Sequence, residues 1–507
     1  MEKLNKIFCT SQIRDIDKYT IEHEPISSLD LMERAAETWA DIFENRVNGF
    51  TKVVVVAGNG NNGGDGYVIA RLLRTVGWDV VVFRLMTDQE FSRDCEVNYK
   101  RWVKDGGEVK VMTCPEDFQV ESDTVIIDAI FGSGLNRKVT GLAAEIIKQM
   151  NTSQNTVAAV DIPSGLMGED NTDNDPDAIV RADYTFTFQF PKVAFLLPEN
   201  ADYVGKWEVL DIGLSEEMIA KTETSWYFTT QENVRDILPV TGKFAHKGTN
   251  GKGLLIAGSY GMMGAAVLAA RAALRSGIGL LYCHVPVKGG DIMQVSVPEA
   301  ILDLDKSQTC FTGVKALDQY DAIAVGPALG QGPETAAALK GLLQDRKGVT
   351  ILDADALNLM AEHRELLECL HEKCILTPHM KEFERLAGNS ANDFDRLNKL
   401  SNFASRWRVY VILKGANSVI ATPQGHFYFN MSGNPGMAKG GAGDVLTGVL
   451  LALAANGMDA LQVARIGVFA HGLAADLLAA EYGYRGICSG MIAEAMGKAW
   501  KQLENKE

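Results

Sequence analysis

Asp444 closes a glycine-rich run, Asn434-Pro435-Gly436-Met437-Ala438-Lys439-Gly440-Gly441-Ala442-Gly443-Asp444, that leads into the apolar stretch 445–455. Glycines at the start of a helix leave a pocket of backbone amides. Such a pocket suits the charge that builds on a transferring phosphoryl group. A carboxylate used only as a helix cap would repel the phosphate that these amides attract, although capping is a common use of Asp. Beside that pocket, Asp444 is better employed taking a proton from an attacking hydroxyl.

A second concentration of chemistry lies near the N-terminus. Gly58-Asn59-Gly60-Asn61-Asn62-Gly63-Gly64-Asp65-Gly66 follows a β-branched run and precedes an apolar helical pattern. Glycines there let the backbone turn sharply and bring amides towards a phosphate. The segment contains a literal G-x-G-x-x-G, but the dinucleotide fingerprint also requires an acid at the end of the next strand. That place holds Phe83-Arg84-Leu85, which argues against a plain NAD-dependent dehydrogenase. A tight turn without a ligand is the alternative.

Two further loops pair acids with glycine: Asp128-Ala129-Ile130-Phe131-Gly132-Ser133-Gly134 and Asp161-Ile162-Pro163-Ser164-Gly165. A lone Asp in such a loop often serves as a turn or cap residue. Loops after parallel strands, however, gather on one sheet edge, where ligands bind. Three together favour a shared site, and their oxygen-rich composition suits a hard cation better than zinc.

These residues need elements to hold them. Strands are expected at 52–57, 78–85, 124–130, 156–160 and 184–190, with a helix at 67–76. Ser27 and Asp30 stand at capping-box spacing before a helix whose Met32, Ala35, Ala36, Trp39, Ile42 and Phe43 share one face. That face either packs into the core or joins copies in a homo-oligomer. A second series begins near Lys252, with strands at 253–257, 279–285, 321–325, 349–352, 374–376 and 409–413. A hairpin follows, 418–422 and 426–430 about Pro423-Gln424-Gly425. The joint falls at 213–243. Strands alternating with helices predict parallel sheets covered on both faces, and 507 residues exceed one core, so two different α/β domains are expected.

Composition narrows the partners. The formal charge is −16, with no basic stripe to offset it, which speaks against nucleic acid and anionic membranes. Eight scattered cysteines without a C-x-x-C pair argue against a disulfide framework or a zinc site. Residues 1–20 are charged and lack a signal core, and the most apolar stretch, 445–455, is too short to span a membrane. A cytoplasmic protein acting on small molecules is expected.

The N-N-G-G-D-G, D-A-I-F-G-S-G and D-I-P-S-G motifs, with Phe190-Pro191-Lys192, resemble the NAD(P)H-hydrate epimerase family over residues 1–215. The resemblance implies a Rossmann-like domain in which Asn61, Asn62, Gly63, Gly64 and Asp65 contact the hydrated cofactor. Gly132, Ser133, Gly134, Leu135, Asn136, Arg137 and Lys138 would do the same. It also implies a potassium ion held by Asn62, Asp128 and Ser164, with Asp161 on the substrate. Lys192 is added as a proton-transfer partner; a solvated lysine beside a proline is the alternative.

The G-x-G-D ending resembles the ribokinase-like fold. Gly261-Met262-Met263-Gly264-Ala265-Ala266, Val325-Gly326-Pro327-Ala328-Leu329-Gly330, Leu352-Asp353-Ala354-Asp355-Ala356-Leu357-Asn358, Leu376-Thr377-Pro378-His379 and Lys414-Gly415-Ala416-Asn417-Ser418 narrow it. Together they resemble the NAD(P)H-hydrate dehydratase family across residues 225–507. The resemblance implies that Ala265, Gly326, His379 and Asp444 contact the hydrated cofactor. Lys414, Gly415, Ala416, Asn417, Ser418 and Gly443 would hold ADP or ATP, accompanied by magnesium. Its ligands are unassigned, Glu382 being a candidate by proximity to the T-P-H-x-x-E-F motif. His379 taken alone reads as a loop or cap residue. Two other readings stay open: a small-molecule kinase fused to a nucleotide-binding domain, and a cofactor-sensing module without turnover.

Overall fold

The structure, a computed structural model, describes residues 5–87 and 90–505. The outermost positions of the expected spans 1–215 and 225–507 lie outside these residues. The chain forms two compact units. One is Lys6–Thr224 with Asn392–Phe394; the other takes in Ser225–Ala391 and the described residues from Asp395 on.

In the first unit the strand Lys52–Ala57 buries five of its six residues. A run apolar on both faces belongs inside a covered parallel sheet. Across that sheet the order is Glu108–Met112, Asp79–Leu85, Lys52–Ala57, Thr124–Ala129, Val157–Val160, Tyr184–Phe188 and Lys206–Leu210, every pair parallel. The chain starts mid-sheet, works to one edge and returns to build the other. This leaves a switch point between Lys52–Ala57 and Thr124–Ala129, where ligand crevices form. Register aligns Ala57 with Ala129, Asp128 with Ala159 and Val160 with Phe186, so the loops after these strands leave from one edge.

The helix Ser28–Arg46 is capped by Ser27, whose hydroxyl accepts from the Asp30 amide. Its Met32, Ala35, Ala36, Trp39 and Phe43 are buried within this unit, so that face is used for core packing. The helix expected at 67–76 begins earlier, as Asn61–Thr75 with Gly60 as its N-cap. Asn61 to Asp65 therefore form a first helical turn, although their glycines read as loop. The strands Glu108–Met112 and Lys206–Leu210 were not expected; as sheet edges they carry charged, partly exposed residues that blur the apolar pattern.

In the second unit the order runs Trp226–Thr229, Phe427–Asn430, Val419–Ala421, Tyr410–Leu413, Cys374–Leu376, Val349–Leu352, Ala322–Val325, Lys252–Ile256, Leu280–Val285 and Ile301–Leu304. The hairpin about Gly425 is antiparallel, and the strands from Tyr410–Leu413 onward are parallel. Trp226–Thr229 falls inside the expected joint, so the second sheet gains a strand before Lys252. It pairs parallel with Phe427–Asn430, and the Trp226 ring stacks on Phe427 at 4.6 Å.

The helix Ala442–Ala455 packs on Met263–Arg275 closely enough that a Cβ at Gly448 would lie 1.9 Å from the Ala269 carbonyl oxygen. Ala460–Gly486 has the length and composition of a membrane span, but most of its apolar stretch is buried inside the unit, and Arg465 is buried with it. A core helix of an ordinary α/β unit accounts for it.

Candidate active sites

The first site sits on the edge that the register defines. Asp128, fully buried, ends the strand Thr124–Ala129 and accepts from the Ser164 amide at 2.7 Å and the Ser164 hydroxyl at 2.5 Å. Burial pushes its carboxyl up to about 6 against those hydrogen bonds. Asn62, on the first turn of Asn61–Thr75, is also buried. Its amide nitrogen has no partner among the described residues, and its side chain lies 3.2–3.3 Å from where a Gly132 Cβ would stand. Asp128 thus offers carboxylate oxygens on this edge, while the unsatisfied atom of Asn62 is an N–H donor.

Asp161 follows the next strand with a left-handed backbone, φ +66°, a conformation that costs an Asp energy and clusters at functional sites. Its Oδ1 accepts from Lys192 Nζ at 2.5 Å, the Phe188 amide at 3.1 Å and the Thr187 hydroxyl at 3.2 Å. Burial would raise this carboxyl. The Lys192 charge and bond, with those from Phe188 and Ser133, outweigh that and hold it below the usual Asp value. Lys192 is 1% exposed, not solvated. Its three ammonium protons have three acceptors: Asp161, the Thr187 hydroxyl at 2.7 Å and the Phe190 carbonyl at 3.3 Å.

The other expected residues divide. Gly63 and Gly64 are buried. A Cβ on Gly63 would stand 2.0 Å from the Gly58 carbonyl oxygen, so packing requires glycine there; one on Gly64 would stand 2.9 Å from the flexible end of Met32. Asn61 is exposed, and Asp65 is half-buried, its carboxyl pushed well up by burial and the nearby charges of Asp161, Asp17 and Asp94. Gly132, Ser133 and Leu135 are half-buried, Gly134 accepts from Arg14 at 3.1 Å, and Asn136, Arg137 and Lys138 are exposed at the rim. Thr187 and Asp17 were missed: one is a strand residue facing the pair, the other lies on a helix without a motif.

In the second unit, Ala265, Gly326, Asp353, His379 and Lys414 all follow the C-terminal ends of adjacent parallel strands. Asp353, 1% exposed, is the hub. It accepts from Lys414 Nζ and the Thr377 hydroxyl at 2.7 Å each, and from the Thr447 hydroxyl at 2.8 Å. Sequence reasoning quoted its motif without giving it a role. Lys414 also lies 3.9 Å from Glu382. Burial would lower the Lys414 ammonium, but the charges of Asp353, Glu382 and Asp444 raise it.

Lys414 Nζ stands 3.3 Å from where a Gly443 Cβ would lie, so the ammonium reaches the helix start. Asp444 is the third residue of that helix, and the N-cap is Gly441 at φ +93°, not Asp444. Burial and the Asp353 charge push the Asp444 carboxyl up to about 6, opposed by Lys414. The loop ahead of it is held from behind. Asp476 accepts from the Gly433 amide at 2.9 Å and from Asn434 at 2.8 Å. Lys439 donates to the carbonyls of Tyr484, Arg485 and Ile487, which leaves that lysine to the fold.

Gly326 needs its φ of +135°, and a Cβ there would be 1.8 Å from the Asp353 carbonyl oxygen. His379 caps the helix Met380–Ala387, Nδ1 accepting from the Glu382 amide at 3.3 Å, while its ring remains half-exposed beside Lys414. Glu382 completes that cap by accepting from the His379 amide at 2.8 Å. Gly415 and Ala416 are exposed in a turn closed by Ser418, and Asn417 sits at φ +54°. Ala265 is half-buried on the first turn of Met263–Arg275.

Known proteins match both halves. A family model described as NAD(P)H-hydrate dehydratase matches residues 253–498, and one described as YjeF-related protein N-terminus matches residues 28–194. The bifunctional NAD(P)H-hydrate repair enzyme of Moorella thermoacetica is 33% identical over 98% of this chain and 97% of its own. That of Thermofilum pendens is 34% identical over 98% and 97%. The chain belongs to the bifunctional NAD(P)H-hydrate repair enzyme family. A crystal structure of a ribokinase-like superfamily protein from Enterococcus faecalis, 24% identical, covers 56% of this chain and 99% of its own with a TM-score of 0.50. That likeness identifies a ribokinase-like fold in this member of the repair-enzyme family.

Proposed function

We propose that the chain repairs hydrated nicotinamide cofactor in two steps. Residues 1–215 interconvert the R and S epimers of hydrated NADH or NADPH. Residues 225–507 dehydrate the S epimer with ADP or ATP as phosphoryl donor. The observation that carries the reading is Asp444, a carboxylate raised to about 6 in the first turn of a glycine-opened helix, beside the Lys414–Asp353 pair.

Hydroxide leaves a carbon poorly and phosphate leaves well. Asp444 takes the proton of the ring hydroxyl as its oxygen attacks the terminal phosphoryl group. The amides of the helix start receive the charge that builds there. The nucleotide leaves one phosphate shorter; the ring-nitrogen lone pair then expels phosphate as a C=N bond forms, and loss of a proton from the neighbouring ring carbon restores the dihydronicotinamide. Lys414 is placed to neutralise nucleotide phosphates, with Gly415, Ala416, Asn417, Ser418 and Gly443 around it. Ala265, Gly326 and His379 line the hydrate side.

In the first domain Asn62, Asp128 and Ser164 would hold potassium, which would supply positive charge next to the hydrated ring. Asp128 fits this role because it is a buried carboxylate whose hydrogen bonds come from neutral groups. Magnesium would arrive with the nucleotide and neutralise its phosphates. All eight cysteines are free, which fits a reducing, cytoplasmic setting.

A small-molecule kinase on the same fold would release a stable phosphorylated product. Hydrated NADH, nucleotide and magnesium mixed with the chain should yield inorganic phosphate and reduced cofactor in equal amounts. Accumulation of a phosphorylated compound without reduced cofactor would overturn the reading.

A further inference from the structure

Epimerising the hydrated carbon needs an acid to loosen its hydroxyl, and the first site leaves few groups able to act as one. Lys192 has each ammonium proton engaged by an oxygen within 3.3 Å. Asp161 is ionised against that ammonium and accepts from three further groups. Asp161 can stabilise positive charge on the substrate but carries no proton, and each Lys192 proton is already held by an oxygen.

The helix Thr10–His23 supplies another carboxyl. It is tied down at two points on the rim. The Thr10 amide and hydroxyl donate to Glu169 at 2.6 and 2.9 Å, and Arg14 donates to the Gly134 carbonyl at 3.1 Å. A Cβ on Gly168 would stand 2.6 Å from the Thr10 hydroxyl oxygen and 3.6 Å from the Lys192 stem, so this end of the helix lies near that lysine. Ile13, Ile16 and Thr20 bury the inner face. Asp17, one turn beyond Arg14, is half-buried within electrostatic reach of Asp161 and Lys192. From the helix Asn61–Thr75, Asp65 lies within electrostatic reach of Asp161, Asp17 and Asp94.

We propose that Asp17 is the proton donor of the epimerisation, working beside ionised Asp161; the proposal rests on the epimerase reading above. Asp17 gives its proton to the ring hydroxyl. The C–O bond breaks as the ring-nitrogen lone pair forms a C=N bond, and water leaves. Asp161 faces the resulting cation. Water then adds to the opposite face and returns one proton to the Asp17 carboxylate.

Charge supports this division of labour. One ammonium serves three neighbouring carboxyls, so the unpaired ones are raised above the ordinary Asp value. Burial, then the Asp161 charge, push Asp17 up to about 7, against the pull of Lys192, so it can both lose and regain a proton there. Burial and the charges of Asp161, Asp17 and Asp94 raise Asp65 well above the ordinary Asp value as well, and its own variant separates its part from that of Asp17.

The test is epimerisation of a purified single epimer by the full chain with potassium present, followed chromatographically against pH. The wild type should lose rate as pH rises through about 7. Asp17→Asn should lose about 10²-fold or more and no longer show that alkaline limb. Asp17→Glu should keep a limb, and Asp65→Asn should keep it where the wild type has it. Thermal unfolding of each variant checks the fold, and Asp17→Glu decides the matter if Asp17→Asn does not fold. An Asp17→Asn rate and profile matching the wild type would overturn Asp17 alone, as would an Asp17→Glu profile without a limb. A limb that moves only in Asp65→Asn would reassign the proton to Asp65. A wild type no faster than spontaneous epimerisation would overturn the epimerase reading and this proposal with it.

Discussion

Lys192 donates to Asp161 across 2.5 Å with its ammonium withdrawn from water, and the aspartate holds a left-handed backbone to receive it. Breaking a buried pair leaves the surviving charge without compensation, at a cost of about 3–5 kcal/mol. Lys192→Met should lower the urea midpoint of the first domain accordingly. Because Asp161 is held below the ordinary Asp value of 3.8, the pair's contribution is complete above that pH. It is lost as pH falls through the lower, folded-state value. Acid titration of the wild type should therefore unfold this domain below the usual carboxylate range, and Lys192→Met should abolish that protection.

Asp353 fixes Lys414 and also raises Asp444, so its charge is felt in the pH profile and not only in stability. Asp353→Asn should move the acid limb of dehydration below pH 6. The misplaced lysine should lower turnover by roughly 10²-fold. Steady-state rates between about pH 4.5 and about pH 8 measure both effects.

Much of this was legible in the sequence because the site residues follow strand ends. The run Lys52–Ala57 and the motifs after it placed Asp128 and Asp161 on one edge before any coordinates. The glycine run before Asp444 likewise announced a helix start. Other features were not legible. Gly63 carries the same letter whether a ligand or the Gly58 carbonyl demands it, and only the structure shows that carbonyl 2.0 Å from where its Cβ would stand. Asp17 belongs to no motif, and its meaning depends on Asp161 and Lys192, more than a hundred residues away. Asp353 gains its role only when Thr377, Lys414 and Thr447 converge on it.

Asp128 carries a buried charge with only neutral donors around it. Potassium should therefore raise the thermal midpoint of the wild type relative to tetramethylammonium, by mass action on the folded state. Asp128→Asn should remove that increment. Scanning fluorimetry in the two salts at equal ionic strength checks it without reference to activity.

Asp444 must be ionised to accept a proton, and its carboxyl is raised to about 6, so dehydration should fall away as pH drops through that value. Asp444→Asn cannot accept the proton and should lose about 10²–10⁴-fold in turnover.

The most direct test of two-step repair is recovery of reduced-nicotinamide absorbance from a mixture of both hydrate epimers, with potassium, magnesium and ADP or ATP. The account predicts complete recovery by the wild type, with matching phosphate release, and almost none by Asp444→Asn. Recovery that halts at the S fraction, after spontaneous epimerisation is subtracted, would contradict the first step. No recovery with either nucleotide would contradict the whole account.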